Sequence, residues 1–451
     1  MKVDTVPEQL LKNTTSRCPV CCLALPAEVW LVGAKKKRVL LRRSCAEHGE
    51  AETCISSDAR FYWLAQGNPR NQCCGGNACS ADDGEVRGTL GRNAESVRNS
   101  PERLSTCLAL IEIVNSCNLA CPTCYADSPT GKLDAIPLAD LQQRIQGVID
   151  RKGRIEILQL SGGEPTIHPE FFELLAWLHA NPGIDYVLLN TNGVRLANDD
   201  AFLDGLGKTF RYGKFQLYLQ FDGVQEAGQQ ALRGGDFRAL RRRAIERCGA
   251  LNIPITLAMT VTSENLPHLW ETIEFGLQFP HVRGVAFQPM FRSGRVSGSN
   301  ERSQPEAPPL NTADIILAAV AQSGGRLRFE DFTPLPCGDP NCATIGYLLK
   351  VDGGTRSISE FIDFGKVQGF LRDKVRYRLE DLLQCGCESE PLGSLLKQFE
   401  MNESNTFRLF IKPFMDAATW DEDRIDRCCT HVIRPDGKLD SFCRYYSSVK
   451  E

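Results

Sequence analysis

The chain has 451 residues, 42% of them hydrophobic, enough for two or three domains with ample core. Its 52 basic and 56 acidic residues leave a formal charge of −4, so it carries no electrostatic footprint for nucleic acid. Twenty cysteines in a chain whose residues 1–13 show no basic-then-apolar leader argue against a disulfide scaffold and for thiols kept reduced in the cytoplasm as metal ligands. No apolar run approaches the roughly 20 residues that span a bilayer, so any lipid must be taken up from a membrane surface.

Residues 1–98 are dense in Cys, with short β-like runs such as 38–42, and read as a small metal-bound module too poor in apolar residues to fold alone. Cys18-Pro-Val-Cys21 and Cys45-Ala-Glu-His48-Gly49 have knuckle spacing on either side of an apolar hairpin. Such pairs close one tetrahedral site, either zinc with three Cys and His48 or mononuclear iron with four sulfurs. His48 is then a ligand or merely a cap of the turn at Gly49. The basic run 35–38 reads as a hairpin tip. Cys73, Cys74 and Cys79 flank Gly75-Gly76, a loop able to wrap an iron–sulfur cluster.

Residues 99–295 alternate apolar runs of strand length, at 110–114, 155–160, 186–190, 215–221, 255–261 and 282–288, with helix-period segments at 138–150, 169–180, 237–251 and 268–279. The class is α/β, a partial (β/α)6 barrel with a parallel, largely buried sheet and Cys-rich extensions at both ends. Sites on such folds gather at the C-terminal strand ends. There, after the first strand, stand Cys117, Cys121 and Cys124 in CxxxCxxC spacing. Three thiolates so placed can hold three irons of a [4Fe-4S] cubane and leave the fourth without a protein ligand. A structural zinc knuckle would require a second CxxC nearby, and none follows.

Ser161-Gly162-Gly163-Glu164-Pro165 follows the second strand, with glycines that let backbone approach a ligand and a carboxylate and carbonyls that can receive an ammonium. Polar residues mark further strand ends: Asn190, Asn192, Gln220, Asp222, Thr260 and Gln288, either ligand contacts or strand-end caps, with Asp222 preferred for a ribose or substrate contact. Residues 296–312 read as a linker or lid. Residues 313–451 form a third region in which Cys337, Cys342, Cys428, Cys429 and Cys443 can converge, offering thiolates for one or two auxiliary [4Fe-4S] clusters. Cys54, Cys107, Cys248, Cys385 and Cys387 read as structural.

CxxxCxxC followed one βα unit later by GGEP resembles the radical S-adenosylmethionine (SAM) superfamily. The full order, from CPxC and CxxHG through SGGEP, TNG, QFDG, PCxxxxC and RCCxH to PDG and a last Cys, resembles the branch that includes archaeal tetraether lipid synthases, first described as pterin methylases. The resemblance implies a SAM-binding cluster on Cys117, Cys121 and Cys124 and a mononuclear site involving Cys18, Cys21 and Cys45. It implies SAM contacts at Tyr125 and at the SGGEP stretch, and a reductant such as flavodoxin or ferredoxin. Thr123 stands where the superfamily usually has an aromatic residue, which here follows at Tyr125.

The expected activity is therefore enzymatic: reductive cleavage of SAM to a 5′-deoxyadenosyl radical, hydrogen abstraction from an unactivated C–H bond, and formation of a C–C or C–S bond. Lipid acyl chains enter as substrate by resemblance alone, and the alternatives are C-methylation of a pterin-like heterocycle or modification of a peptide. Radical attack on C–H bonds accounts for the lack of a Ser-His-Asp or paired-carboxylate arrangement among only six His.

Overall fold

The structure, a computed structural model, describes residues 7–66, 106–296, 308–335, 338–351, 354–360, 376–378 and 406–447. Four antiparallel strands, β1 (Glu8–Arg17), β2 (Ala24–Val32), β3 (Arg38–Cys45) and β4 (Gly49–Ser56), form an N-terminal sheet in sequence order, and a short β5 (Leu64–Gln66) follows. Alternate residues of these strands, Val29, Val39 and Leu41 among them, face a small core, and the other face is solvated.

The six runs read from the sequence are β6 (Leu108–Val114), β7 (Ile155–Gly162), β8 (Ile184–Thr191), β9 (Phe215–Gln220), β10 (Ile255–Val261) and β11 (Val282–Pro289), all parallel and neighbours in that order. The remaining strands are β12 (Phe332–Pro334), β13 (Thr344–Val351), β14 (Gly354–Ser357), β15 (Arg376–Arg378), β16 (Thr406–Ile411), β17 (Thr430–Ile433) and β18 (Leu439–Ser441). Two of them extend the parallel run: β16 pairs with β11, and β17 pairs with β6. The sheet curls until the outermost strands of the parallel run approach, where Lys412 Nζ, just past β16, donates to Thr430 Oγ1 on β17 at 2.6 Å. Beyond β16 the sheet continues through β13 and β12, and beyond β17 through β18. The barrel sheet thus runs into both edges from the region 313–451.

The outer layer begins with α1 (Leu138–Lys152), which buries Leu141, Ile145, Val148 and Ile149 at helical spacing and stops at Gly153, whose φ is +84°. Then come α2 (Phe171–Ala180), α3 (Val194–Asn198), α4 (Asp200–Thr209), α5 (Glu226–Arg233), α6 (Arg238–Ala250), α7 (Leu269–Leu277), α8 (Thr312–Gln322), α9 (Glu422–Ile425) and α10 (Phe442–Ser447). Asp199 caps α4 through the N–H of Phe202, and Asn311 with Asp314 forms a capping box on α8. No helix among the described residues is long and apolar enough to cross a membrane.

The N-terminal sheet docks on the C-terminal segment through buried polar contacts. Lys12 Nζ lies 2.8 Å from Asp421 and 2.9 Å from Asp423, Arg43 donates to the Ala418 carbonyl at 2.8 Å, and Arg17 stacks over Trp420.

Candidate functional site

Cys117, Cys121 and Cys124 lie in the loop that leaves β6, at the C-terminal end of the sheet. Other segments fix that loop by its backbone. Cys117 N–H donates to Pro129 O at 2.9 Å, and Cys124 exchanges a bond pair with Arg295, at 2.8 and 2.9 Å. Arg295 also donates to the carbonyls of Cys121 and Ser128, and Arg233 to that of Thr123. Gly294, at φ +62°, leaves room for this seam, because a Cβ there would fall 2.4 Å from the Cys124 carbonyl oxygen.

The two glycines after β7 have the same purpose on the other side. Gly163 N–H donates to Val114 O at 2.7 Å and Glu164 N–H to Ser116 O at 3.1 Å, which presses the SGGEP stretch against the start of the thiol loop. Glu164 itself is turned inward: one carboxylate oxygen accepts from Thr166 and Thr191, the other from the Asn192 N–H. With both oxygens engaged, its carboxylate orders the TNG turn. Among the described residues Oε2 accepts only the Asn192 bond and keeps acceptor capacity toward the cavity that Glu164 lines.

The other strand-end residues form one connected rim. Asn192 donates to Asn118 at 2.7 Å and approaches Cys117 Sγ at 3.8 Å; Asn190 donates to Ser161, whose hydroxyl also meets Tyr125 at 3.1 Å. The Tyr125 ring packs among Phe291, Phe442 and Tyr446, and burial pushes its hydroxyl up to about 12. Gln288 donates to Tyr218, and Pro165 opens the short turn that Glu164 caps. Asp222, at φ +60° and buried, is held by Arg233 in two bonds of 2.7 and 2.9 Å and by the Thr260 N–H. Asp222 lines the cavity with its oxygens already bonded to protein donors, and the Gln220 amide oxygen also faces Arg233.

Within the curl lies a cavity of about 680 Å³ that opens onto all three thiols. Closed barrels fill their interior with branched aliphatics. Here the inward rows of β7, β8 and β9 carry Gln159, Asn190, Gln216, Tyr218 and Gln220, and space remains between them. Burial pushes the Cys117 thiol up to about 12 and raises that of Cys121, so neither ionises at neutral pH without a cation. Three soft thiols around an open volume, not converging on one point, suit a cubane better than a single ion.

A second set is tight. Cys18 and Cys21 lie between β1 and β2, Cys45 and His48 between β3 and β4, and all four ligand atoms fall within 4.8 Å of one another. Cys21 Sγ is 3.9 Å from Cys45 Sγ, near the roughly 3.8 Å edge of a tetrahedron with metal–sulfur bonds of about 2.3 Å. His48 Nδ1 is 3.5 Å from Cys45 Sγ, which places it with the ligands rather than with the turn alone. The His48 contact and nearby backbone N–H groups hold the Cys45 thiol below its usual range.

A third set is looser. Cys428 and Cys443 are buried, Cys342 and Cys429 half-buried, and the charge of each of the other three raises Cys428 further after burial has done so. Arg424 donates to Cys342 Sγ at 3.5 Å and Met415 N–H to Cys443 Sγ at 3.3 Å. Cys73, Cys74, Cys79, Cys337, Cys385 and Cys387 lie outside the described residues. Sequence reasoning missed Arg233, Arg241 and Arg295, which carry no motif, and the polar inward rows, whose only signal was the alternation Gln216, Tyr218, Gln220.

Residues 111–276 match the radical SAM superfamily and residues 10–57 an HMPTM N-terminal zinc ribbon domain. Residues 111–276 thus form a radical SAM domain, and the chain is an enzyme of that kind. Along nearly its whole length it is similar to a 7,8-dihydro-6-hydroxymethylpterin dimethyltransferase of Methanocaldococcus jannaschii, at 26% identity over 96% of this chain and 93% of that protein. It is also similar to a GTP 3′,8-cyclase of Synechococcus elongatus, at 30% identity over 37% of this chain and half of the cyclase. Among solved structures, Streptococcus suis SuiB bound to S-adenosylmethionine aligns over 49% of each chain, with 13% identity and a TM-score of 0.38.

Proposed function

We propose that the chain forms a carbon–carbon bond on a small polar heterocycle, as a radical SAM C-alkylating enzyme. The observation that carries this is the lumen: amides and a phenol point inward on adjacent strands, and the cavity they line reaches the three thiols. Such groups bond to one another and keep further donor and acceptor capacity that can pair with the edges of a heterocycle but finds no partner on an acyl chain. The dimethyltransferase relative, matched from end to end, supports a pterin-like ring. The acyl-chain expectation has no support from the relatives.

Cys117, Cys121 and Cys124 would hold the [4Fe-4S] cluster, with SAM against Ser161, Gly162, Gly163, Asn190 and Asn192. The chemistry supplied there is one-electron cleavage of SAM to methionine and a 5′-deoxyadenosyl radical. The protein's own part is positional: the Gly163 and Arg295 seams fix the thiol loop, Glu164 orders the Asn192 turn, and the aromatic wall of Tyr125, Phe291 and Phe442 excludes water from the reacting carbon. Cys18, Cys21, Cys45 and His48 would hold zinc or iron. Cys342, Cys428 and Cys443, with Cys337 or Cys429, would hold an auxiliary cluster. A flavodoxin- or ferredoxin-class donor would supply electrons.

The test is anaerobic reconstitution with SAM, dithionite and 7,8-dihydro-6-hydroxymethylpterin, followed by mass spectrometry. The reading expects 5′-deoxyadenosine together with a pterin heavier by CH₂ units, each added carbon coming from a second SAM that leaves as S-adenosylhomocysteine, with dithionite supplying the electrons. Formation of 5′-deoxyadenosine with unmodified pterin, and mass changes only on added lipid or peptide, would refute it.

A further inference from the structure

Beneath the thiol loop lies a charge that the described residues do not balance. Asp222, Arg233 and Arg241 are all buried, and the single carboxylate serves two guanidinium groups. Arg233 takes the close pairing at 2.7 Å, while Arg241 Nη1 stays 3.8 Å from the same carboxylate. Arg241 is fully buried; Nη1 donates to Gln229 and to the Phe221 carbonyl, the guanidinium stacks on Phe237, and Nε and Nη2 have no hydrogen-bond partner among the described residues. The next acid, Asp236, is exposed and occupied by Arg238. Burial pulls Arg241 down only to about 10, so it stays charged at neutral pH.

A surplus buried cation is costly unless an anion lies within reach. The anion site within reach is the thiol loop: Arg233, paired with Asp222, donates to the Thr123 carbonyl between Cys121 and Cys124, and Arg241 stands behind that pair, 3.8 Å from the same carboxylate. Three thiolates on a cubane core leave a net negative charge that deepens by one when an electron is added. We propose that Arg241 is a positioning residue for electron transfer, its uncompensated charge stabilising the reduced state of a cluster on Cys117, Cys121 and Cys124 through the Asp222–Arg233 pair, without touching it. This rests on the cluster assignment above but not on the heterocycle. In the step concerned, the oxidised cluster accepts one electron from the donor, and no bond forms or breaks.

The experiment is a redox titration of the anaerobically reconstituted full chain, following the paramagnetic signal that responds to added SAM, in wild type, Arg241→Met and Arg241→Lys. At a fixed donor potential, Arg241→Met should lower the reduced-to-oxidised ratio of that cluster about tenfold, a shift of about 59 mV, with iron content unchanged. Arg241→Lys, which keeps the charge, should restore most of it. The apo form of Arg241→Met should melt no lower than wild-type apo protein, since a methionine there removes a charge that the described residues do not balance. An unchanged midpoint in Arg241→Met, or an apo variant that melts lower and loads less iron, overturns the proposal in favour of a packing role. A wild-type protein without a SAM-responsive signal overturns the cluster assignment as well, before any variant is compared. Normal potentials with no pterin product would touch only the heterocycle reading.

Discussion

Replacing Gly163 by alanine tests how the SGGEP stretch serves the site. A Cβ built there falls 2.0 Å from the Ser116 carbonyl oxygen and 2.4 Å from its carbon, more than an ångström inside ordinary contact and against backbone, which cannot swing aside. The loop must retreat, which breaks the bonds from Gly163 N–H to Val114 O and from Glu164 N–H to Ser116 O. Each bond contributes about 1 kcal/mol, and buried groups left unsatisfied add to that, so the folded protein should lose about 2–4 kcal/mol. The larger effect is geometric: Cys117 follows Ser116 directly, and a shift of about 1 Å in a reacting constellation costs about 100-fold in rate. Gly163→Ala should therefore bind SAM-responsive iron poorly and form 5′-deoxyadenosine at least about 100-fold more slowly, as measured by anaerobic iron quantitation and chromatography. A variant with full iron and wild-type rate would refute the claim that this glycine seats the thiol loop.

Arg233→Met should destabilise the apo protein by about 3 kcal/mol in urea unfolding, the low end for a broken buried pair because Arg241 remains near Asp222. Cys45→Ser should remove one equivalent of zinc or iron per chain by elemental analysis and lower the melting temperature, because a metal held by Cys18, Cys21, Cys45 and His48 would link the β1–β2 and β3–β4 turns. His179, kept neutral by burial and by Arg211 and Lys214, has its pKa depressed to about 4 from 6.5. Its contribution is complete above pH 6.5 and is lost as the pH falls towards 4, so His179→Phe, which keeps the contact with Phe215, should flatten that part of the stability–pH curve.

The six central strands were legible because each is an apolar run of strand length between helix-period segments, and the thiol loop because its spacing is unusual. The strands β16 and β17 were not, since the apolar run of Thr406–Ile411 is short and broken by Arg408 and Thr430–Ile433 is only four residues long. Their parallel pairing with β11 and β6 depends on sheet curvature, which no local pattern encodes. The motif residues Glu164 and Asp222 were found, but their roles were read as ligand contacts. A sequence does not reveal that Thr191, the Asn192 N–H and Arg233 also bond to them. Arg241 lies on a helix with four other arginines, and nothing local marks it as the buried one.

The most direct measurement is 5′-deoxyadenosine formed by the anaerobically reconstituted protein given SAM and dithionite, in wild type and with Cys117, Cys121 and Cys124 all changed to alanine. The account predicts steady formation by the wild type and none by the triple variant, with the N-terminal metal retained in both. Formation that survives the triple change would contradict it.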